Sequence, residues 1–206
     1  DYVRGLQAVY PHADYVTVNI SSPNTKGLRD LQKKEALLEL LAELSKARSD
    51  AILKHKKRIP IFLKIAPDID RGECENIAES VLLGGIDGLI VSNTTISRVA
   101  LISRKHSSEE GGLSGAPLFT LSTKVLAEMY KLIGGKIPII GVGGISSPED
   151  AYAKICAGAS LVQLYSAIIY HGFSLVRSIN DKLPAFLVRD GFANISEAVG
   201  SKVRTI

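Results

Sequence analysis

Apolar segments rich in β-branched residues recur along the chain, and stretches of helical periodicity separate them. The apolar segments predict strands over Tyr15–Ile20, Ile59–Ile65, Gly88–Val91, Ile137–Val142 and Leu161–Tyr165. The stretches between and after them predict helices over Leu31–Lys54, Glu73–Leu83, Leu121–Ile133, Pro148–Ala157 and Phe173–Arg189, the last with one helix or two. The first of these helices has an apolar stripe formed by Leu37, Leu38, Leu41 and Leu44.

This alternation of strands and helices predicts an α/β fold with a parallel sheet covered by helices. The two candidates are a doubly wound sheet and a (β/α)8 TIM barrel. No G-x-G-x-x-G follows the first strand, which counts against a dinucleotide-binding sheet. Polar residues follow strand after strand at the carboxyl ends, which is typical of a barrel. Since three further βα units need roughly 100 residues, we interpret residues 1–206 as a single barrel domain truncated at its N-terminus, supplying about the last five βα units.

The net charge of +4 is spread along the chain. The densest basic run, Lys54–Arg58, closes a predicted helix, where cations suit the helix dipole. Aromatic residues do not alternate with it, so we expect no nucleic acid partner. The two cysteines, Cys74 and Cys156, lie far apart and favour a reducing compartment. The histidines are scattered without metal-ligand spacing, so we expect no metal site.

Neutral polar residues are concentrated after the first and third strands. The segment Asn19–Thr25 (Asn-Ile-Ser-Ser-Pro-Asn-Thr) holds two amides, two serines and a threonine, and Ser92–Thr95 repeats the pattern. Amides can bond both to a carbonyl and to an N–H of one planar ring. These segments therefore suggest a site for a small, polar, planar ligand. The alternative is that both are ordinary turns stabilised by Asn, Ser and Thr side chains.

Lys64 interrupts the apolar second strand, and lysine is almost never buried without a partner. Near the carboxyl end of a barrel strand, its ammonium could face a developing negative charge. The alternatives are a surface lysine whose head group reaches water and a salt bridge in the core.

Gly143 and Gly144 follow the fourth strand and precede a helix with Ser147 as its predicted N-cap. Backbone N–H groups in such a turn can approach a phosphate, and barrels often bind phosphate at the last two strand ends. Tyr165 and Ser166 follow the fifth strand. A glycine turn without a ligand is the alternative.

A phosphate cradle, an interior lysine and two amide clusters together suit FMN with a substrate stacked beside it. A hydride reaction also needs a proton acceptor, and no His, Asp or Glu lies in the amide clusters. Ser22 is the candidate base by elimination, although it needs a relay or water to pass the proton on. The long irregular stretch Ser97–Pro117, which contains Arg98, Arg104, Lys105 and His106, is expected to be functional or mobile.

At this point the chain resembles the dihydroorotate dehydrogenase family in its quinone-linked class 2 form. The matching motifs occur in the family's order over essentially the whole chain: Asn19–Thr25, Phe62–Pro67, Gly85–Thr95, Gly111–Gly115, Pro138–Ile145 and Gly158–Tyr165.

The resemblance implies an FMN-dependent (β/α)8 barrel that oxidises dihydroorotate to orotate in pyrimidine biosynthesis and passes the electrons to a quinone. It implies that Ser22 removes the proton from C5 of the substrate while hydride leaves C6 for the flavin. Class 1 relatives carry cysteine at this position, so serine indicates class 2.

The resemblance also implies roles for the other residues of these motifs. The substrate-binding positions are Asn19, Asn24, Asn93 and Thr94. The cofactor-binding positions are Asn19, Lys64, Ser92 and Gly115, with Gly143, Gly144, Tyr165 and Ser166 at the phosphate. We expect Ser22 and Lys64 to be the catalytic pair.

The family's N-terminal helices, which form the quinone entrance and the membrane contact, have no counterpart in this sequence. The expected location is peripheral, on the bacterial inner membrane or the mitochondrial inner membrane. Two alternatives remain open. One is a non-catalytic fragment that needs a complementary segment, and the other is another FMN barrel oxidoreductase of class 1 or dihydropyrimidine type.

Overall fold

A computed structural model of the protein describes residues 1–98, 101, 105 and 107–206. The strands are β1 Val16–Asn19, β2 Ile61–Ile65, β3 Gly88–Val91, β4 Ile139–Val142 and β5 Leu161–Gln163. The α-helices are α1 Tyr2–Val9, α2 Lys34–His55, α3 Arg71–Leu83, α4 Phe119–Ile133, α5 Pro148–Cys156, α6 Ser166–His171, α7 Ser174–Asp190 and α8 Ile195–Ala198. Short 3-10 helices cover Leu28–Gln32, Ala116–Leu118 and Val203–Thr205.

All strand pairings are parallel, and the strands lie side by side in the order in which they occur in the sequence, from β1 to β5. Right-handed crossovers that always advance in the same direction place their helices on one face of the sheet. A doubly wound sheet reverses its direction once and therefore carries helices on both faces. The strand order thus corresponds to the arc of a barrel, as the sequence predicts.

The strand register divides the side chains between the two faces of this arc. One row of paired residues faces the helices and lies in the main hydrophobic core: Val18, Leu63, Leu89 and Ile139. The next row faces the barrel interior: Asn19, Lys64, Ile90, Ile140 and Leu161. The ends of the inner row are exposed, with Leu161 at 62%. The helix-facing side therefore carries the core, and the inner side is left for other contacts.

The predicted elements are present, but several of their ends differ. Every strand except β3 is shorter than its apolar segment. Single hydrogen bonds still extend beyond the strand ends, since the Ile20 N–H donates to the Lys64 carbonyl and the Val16 N–H donates to the Pro60 carbonyl. The first long helix begins at Lys34 rather than Leu31, after the 3-10 turn Leu28–Gln32. Its buried stripe includes Leu40, whereas Leu38 is only half-buried, which corrects the predicted stripe. Helix α6, just after β5, was not predicted.

The predicted helix caps agree better with the structure. The Ser147 hydroxyl accepts a hydrogen bond from the Asp150 N–H at 3.0 Å, so Ser147 is the N-cap of α5 and Pro148 its first residue. An N-cap hydrogen bond joins residues only a few positions apart, so local sequence predicts it. The end of a strand depends on pairing with a strand that is distant in sequence.

The irregular stretch Ser97–Pro117 is only partly described, and the predicted loop residues Arg104 and His106 lie outside the described residues. An antiparallel bridge joins Thr95, just before the stretch, to Leu113 near its end. Both cysteines, Cys74 and Cys156, are buried and free. Within the described ranges, no helix combines the length and apolar character needed to cross a membrane.

Candidate functional site

A cavity of about 310 Å³ opens at the carboxyl ends of β2 to β5. Its polar lining consists of Lys64, Ser92, Asn93, Thr94, Ser114, Tyr165 and Ser166. Its remaining lining consists of Gly115, Leu118, Val142, Gly143, Gly144, Ile145 and Leu164. Parallel strands bring these residues together because their carboxyl ends meet at one edge of the sheet.

Most of the predicted site residues therefore share this cavity. Of the cofactor positions, only Asn19 is missing from its lining, and of the substrate positions, Asn93 and Thr94 belong to it. Asn24 lies in a neighbouring open depression, together with Arg98 and Gly111. Their assignment to flavin or substrate stays a prediction, but their proximity is a property of the fold.

A hydrogen-bonded cluster of side chains links the strand ends of β1 and β3. The Asn93 amide donates to Asn19 Oδ1 at 3.1 Å and to Ser21 Oγ at 3.0 Å. The Ser21 hydroxyl also donates to Asn19 Oδ1 at 2.9 Å. Asn93 Oδ1 accepts from the Thr94 N–H at 2.8 Å. These bonds fix the orientation of both amides, so that a ligand would meet a preorganised edge.

Ser22 follows the buried Ser21 and is half-buried. Its Oγ accepts a hydrogen bond from the Asn24 N–H at 3.3 Å. No carboxylate or imidazole is bonded to this hydroxyl within the part of the chain that the structure describes. The geometry therefore leaves the hydroxyl hydrogen of Ser22 free to be transferred to water or to a ligand.

Lys64 projects from the inner face of β2 into the cavity and is half-buried. Partial burial lowers the pKa of its ammonium group below the usual lysine value, because desolvation disfavours the charged form. Among the described residues, no hydrogen-bond acceptor or carboxylate partner of this ammonium is found. Lys64 thus presents an uncompensated positive charge to any bound molecule, and it is neither a salt-bridged core lysine nor a surface lysine.

The loop after β4 is packed tightly against the start of α4. Gly144 has a φ of +79°, and a Cβ added there would lie 2.5 Å from the Phe119 Cα. Gly143 has a φ of +109°, and its added Cβ would lie 2.8 Å from Ser122 Oγ. Both positions require glycine, because their φ angles are positive and a Cβ atom would collide with α4. Without side chains, the backbone of this loop stays exposed to the cavity.

We expect Gly144→Ala to lower the free energy of unfolding by about 2–4 kcal/mol, from left-handed strain and from overpacking against Phe119. Urea unfolding followed by circular dichroism measures this change. Gly134→Ala is the matched control, because Gly134 has a φ of +62° and no atom within 4 Å of an added Cβ. It should lose only about 1 kcal/mol. Equal losses at both positions would show that the Gly144 loop has room for a methyl group.

An arginine network that the sequence analysis missed connects three of these loops. Arg29 donates to the Ser21 carbonyl at 3.1 Å, to Asp68 Oδ2 at 2.9 Å and to the Thr94 carbonyl at 3.1 Å. Asp68 in turn accepts from the Thr95 hydroxyl and from the Ile96 N–H. Asp68 follows the end of β2 by three residues, whereas Arg29 lies ten residues after β1 in the 3-10 turn Leu28–Gln32. Charged residues after strands are common, so this is a weak signal.

Arg98 makes a similar connection between the β3 turn and the segment before Gly115. Its guanidinium donates to the Thr95 carbonyl at 3.3 Å, to the Glu109 carbonyl at 3.0 Å and to the Gly111 carbonyl at 2.7 Å. The Ser166 hydroxyl donates to Ser114 Oγ at 2.8 Å, across the mouth of the cavity. The rim of the site is thus held by residues from both ends of the irregular stretch.

A sheet of sequentially ordered parallel strands, with a polar cavity at their carboxyl ends, defines an α/β-barrel protein with a ligand site in the usual barrel position. A model of the dihydroorotate dehydrogenase family matches residues 1–187. The dihydroorotate dehydrogenase (quinone) of Parvibaculum lavamentivorans is 56% identical over 203 residues, which cover 98% of this chain and 56% of that protein. The protein of the same name from Azorhizobium caulinodans is 50% identical over 204 residues, which cover 99% of this chain and 57% of that protein.

A crystal structure of DHODH from Eimeria tenella in complex with ferulenol matches with a TM-score of 0.91 and 40% identity, covering 99% of this chain and 58% of that one. The chain therefore belongs to the dihydroorotate dehydrogenase family, and its five strands are part of a (β/α)8 barrel. It spans 56% of the length of the first of these relatives. A polypeptide of the relatives' full length is called the full-length protein in the experiments below.

Proposed function

We propose that the full-length protein is a class 2 dihydroorotate dehydrogenase, which oxidises dihydroorotate to orotate and passes the electrons through FMN to a quinone. The main support for this proposal is the cavity in which Lys64, the Ser92–Thr94 turn and the Gly143–Gly144 loop meet. The relatives' names, which specify the quinone-linked enzyme, support the same reaction.

The cavity residues fit an isoalloxazine ring with a phosphate tail. Leu118, Val142 and Leu164 provide apolar walls for a flat ring. Lys64, on β2, offers a positive charge without a partner among the described residues. The Gly144 N–H, after β4, has no hydrogen-bond partner in the described part of the chain and is available to an anion. An apolar cavity with a cation and an available backbone N–H among its lining groups suits a flat ring that carries a phosphate.

FMN, when bound, would supply the hydride acceptor, and the chain's own residues would hold the substrate and move the proton. Asn93 and Thr94 line the cavity and would bond the ring edge of the substrate, while Asn19 holds the Asn93 amide in place. Asn24 would close the outer side. Ser22 Oγ would take the C5 proton of the substrate while its own hydroxyl proton passes to water. Lys64 would stabilise the negative charge that develops beside it.

The remaining flavin contacts in this proposal are Ser92 and Gly115 near the ring, and Gly143, Tyr165 and Ser166 around the phosphate. Residues 1–206 would then form the greater part of a single FMN-binding barrel domain. We place the full-length protein at the inner membrane, bacterial or mitochondrial, because its quinone substrate is a membrane lipid. That membrane contact would be made by segments outside this chain.

The test is the visible absorbance of the purified full-length protein before and after anaerobic addition of dihydroorotate. We expect a flavin spectrum that bleaches and that recovers when a soluble quinone is added. Recovery with fumarate or a nicotinamide cofactor instead would favour a class 1 or dihydropyrimidine-type enzyme. A spectrum without flavin would overturn the proposal.

The same measurement on residues 1–206 alone addresses the second candidate, a non-catalytic segment that needs a complement. The exposed Leu161 on the inner face favours this possibility for the isolated chain. A colourless sample of residues 1–206 beside a yellow full-length protein would support it, and a yellow sample that bleaches would exclude it.

A further inference from the structure

Lys154, on α5, is a buried cation that the proposed reaction does not use. It is 0% exposed, although lysine is almost never fully buried unless it is paired. In the described part of the chain it forms no ion pair with a carboxylate. Its ammonium instead donates to Ser122 Oγ at 2.5 Å and lies 5.1 Å from the centre of the Phe119 ring. A buried charge with so little compensation is costly and calls for a functional reason.

Ser122 connects this ammonium to the loop after β4. Its Oγ lies 3.0 Å from the Gly143 carbonyl oxygen and 3.1 Å from the Phe119 carbonyl oxygen. Because the ammonium can only donate, the Ser122 oxygen accepts from Lys154 and its own hydrogen is left for one of the two carbonyls. Lys154 therefore directs the Ser122 hydrogen toward these two carbonyls, and the Gly143 carbonyl is the nearer of them at 3.0 Å.

The direction of that carbonyl decides where the next N–H points. The peptide bond between Gly143 and Gly144 is planar and trans, since the cis bond found in the described residues is that between Val91 and Ser92. In a trans peptide the C=O and the N–H point in opposite directions. With the Gly143 carbonyl turned inward to Ser122, the Gly144 N–H is turned outward, away from the core and on the cavity side.

Helix α5 holds the same loop at a second point. The Asp150 carboxylate, one turn before Lys154, accepts from the Ser146 N–H at 2.9 Å and from the Ser146 hydroxyl at 3.0 Å. The two ends of the loop are therefore tied to one helix, Ser146 directly and Gly143 through Ser122. This arrangement holds the backbone rigid, as a cradle for an anion requires.

We propose that Lys154 is a positioning residue for the anion at the Gly143–Gly144 loop, which orients the Gly144 N–H through Ser122 and places a positive charge behind the loop. The proposal rests on the proposed function, in which that anion is the phosphate of FMN. It predicts that Lys154 contributes to binding of the phosphate and not to binding of the flavin ring.

The protonation state of Lys154 makes the proposal testable by pH. Burial lowers the pKa of its ammonium to about 7, and the Asp150 carboxylate partly opposes this shift. Helix α4 presents Ser122 and Phe119 to Lys154, and β4 presents Gly141, none of which titrates near neutral pH. An ammonium group carries its charge below its pKa and loses that charge above it. The contribution of Lys154 should therefore be present at acid pH and fade as the pH rises through and beyond neutrality.

The experiment is a titration of the full-length protein, freed of flavin, with FMN and with riboflavin, followed by quenching of flavin fluorescence. We expect Lys154→Met to weaken FMN binding about tenfold or more, since a charge in a low-dielectric site acts strongly on a nearby anion. Riboflavin, which lacks the phosphate, should bind wild type and variant equally. The difference for FMN should be larger at about pH 6 than at about pH 9.

Lys124→Met, which removes an exposed lysine from α4, is the matched control and should leave both affinities unchanged. Ser122→Ala keeps the ammonium but breaks its link to Gly143, so it should also weaken FMN selectively. It decides the question if circular dichroism shows that Lys154→Met is unfolded. Equal changes for FMN and riboflavin, or no change, would overturn the proposal while leaving the flavin assignment intact. A wild-type protein that binds no FMN would overturn both.

Discussion

Ser22→Ala in the full-length protein should slow reduction of the bound flavin by dihydroorotate by about 10²–10⁴-fold, the usual contribution of a positioned general base. Flavin content should not change, because Ser22 does not line the cavity in which the flavin is proposed to bind. Stopped-flow absorbance under anaerobic conditions measures the rate, with dihydroorotate at saturation.

Two further variants show whether slow flavin reduction by Ser22→Ala reflects the loss of the proton acceptor. Ser49→Ala removes an exposed hydroxyl from α2, which donates only to the Ser45 carbonyl, and should reduce at the wild-type rate. Ser22→Cys keeps a proton acceptor with a lower pKa, so its rate should reach its plateau at a lower pH than wild type. Wild-type reduction by Ser22→Ala would remove Ser22 from the proton transfer.

Lys64→Met should lower the rate of flavin reduction by about 10²–10³-fold, the loss seen when one preorganised donor is removed from a site of developing charge. Lys64 is suited to this role because its ammonium faces the cavity, has no described partner and is partly desolvated. The same change should make the reduction potential of the bound flavin more negative, since the reduced form loses a stabilising cation. Stopped-flow absorbance and a dye-equilibrated redox titration measure the two effects.

Lys46→Met, at an exposed position on α2, is the matched control and should alter neither the rate nor the potential. Methionine keeps the length and much of the volume of lysine, so Lys64→Met tests the charge rather than the packing. A Lys64→Met protein with normal rate and potential would show that the ammonium is not beside the reacting ring.

Hydrogen bonds from Arg29 connect the loops that form the site, so we expect substitutions at Arg29, outside the cavity, to alter the cavity as well. Arg29 bonds to the β1 loop, to Asp68 after β2 and to the Thr94 carbonyl after β3. Its guanidinium donates to all three at once, which a lysine cannot reproduce. The amide cluster of Asn19 and Asn93 thus lies on loops that are held together behind it.

The barrel class and the approximate positions of the strands could be predicted because both depend on local pattern. Apolar runs separated by helical periodicity are visible in any window of the sequence, and the N-cap at Ser147 needs only its neighbours. The strand ends were less accurate. The apolar segments continue past the ends of the regular strands, as at Ile20 after β1 and Leu164 after β5.

The glycines of the loop after β4 show what can be predicted from the sequence and what requires the tertiary structure. Their position after a strand suggests a phosphate turn from sequence alone. That Gly144 has no room for a side chain depends on Phe119, the first residue of a helix that precedes β4. Likewise, the lysine in the second strand is visible as an anomaly, whereas the lack of a partner for Lys64 is a fact about the surrounding loops.

By itself, the sequence determined the α/β alternation, the polar strand ends and the resemblance to one family, because each is encoded in residues that are close together in the chain. Only the tertiary structure decided which of those strand ends share a cavity, which charges are compensated and that Lys154 lies buried behind the glycine loop. The physical reason is that desolvation and hydrogen bonding between loops depend on residues 30 to 70 positions apart, such as Arg29 with Asp68 and Thr94, and Lys154 with Ser122. Such pairings exist only once the parallel strands have aligned their carboxyl ends.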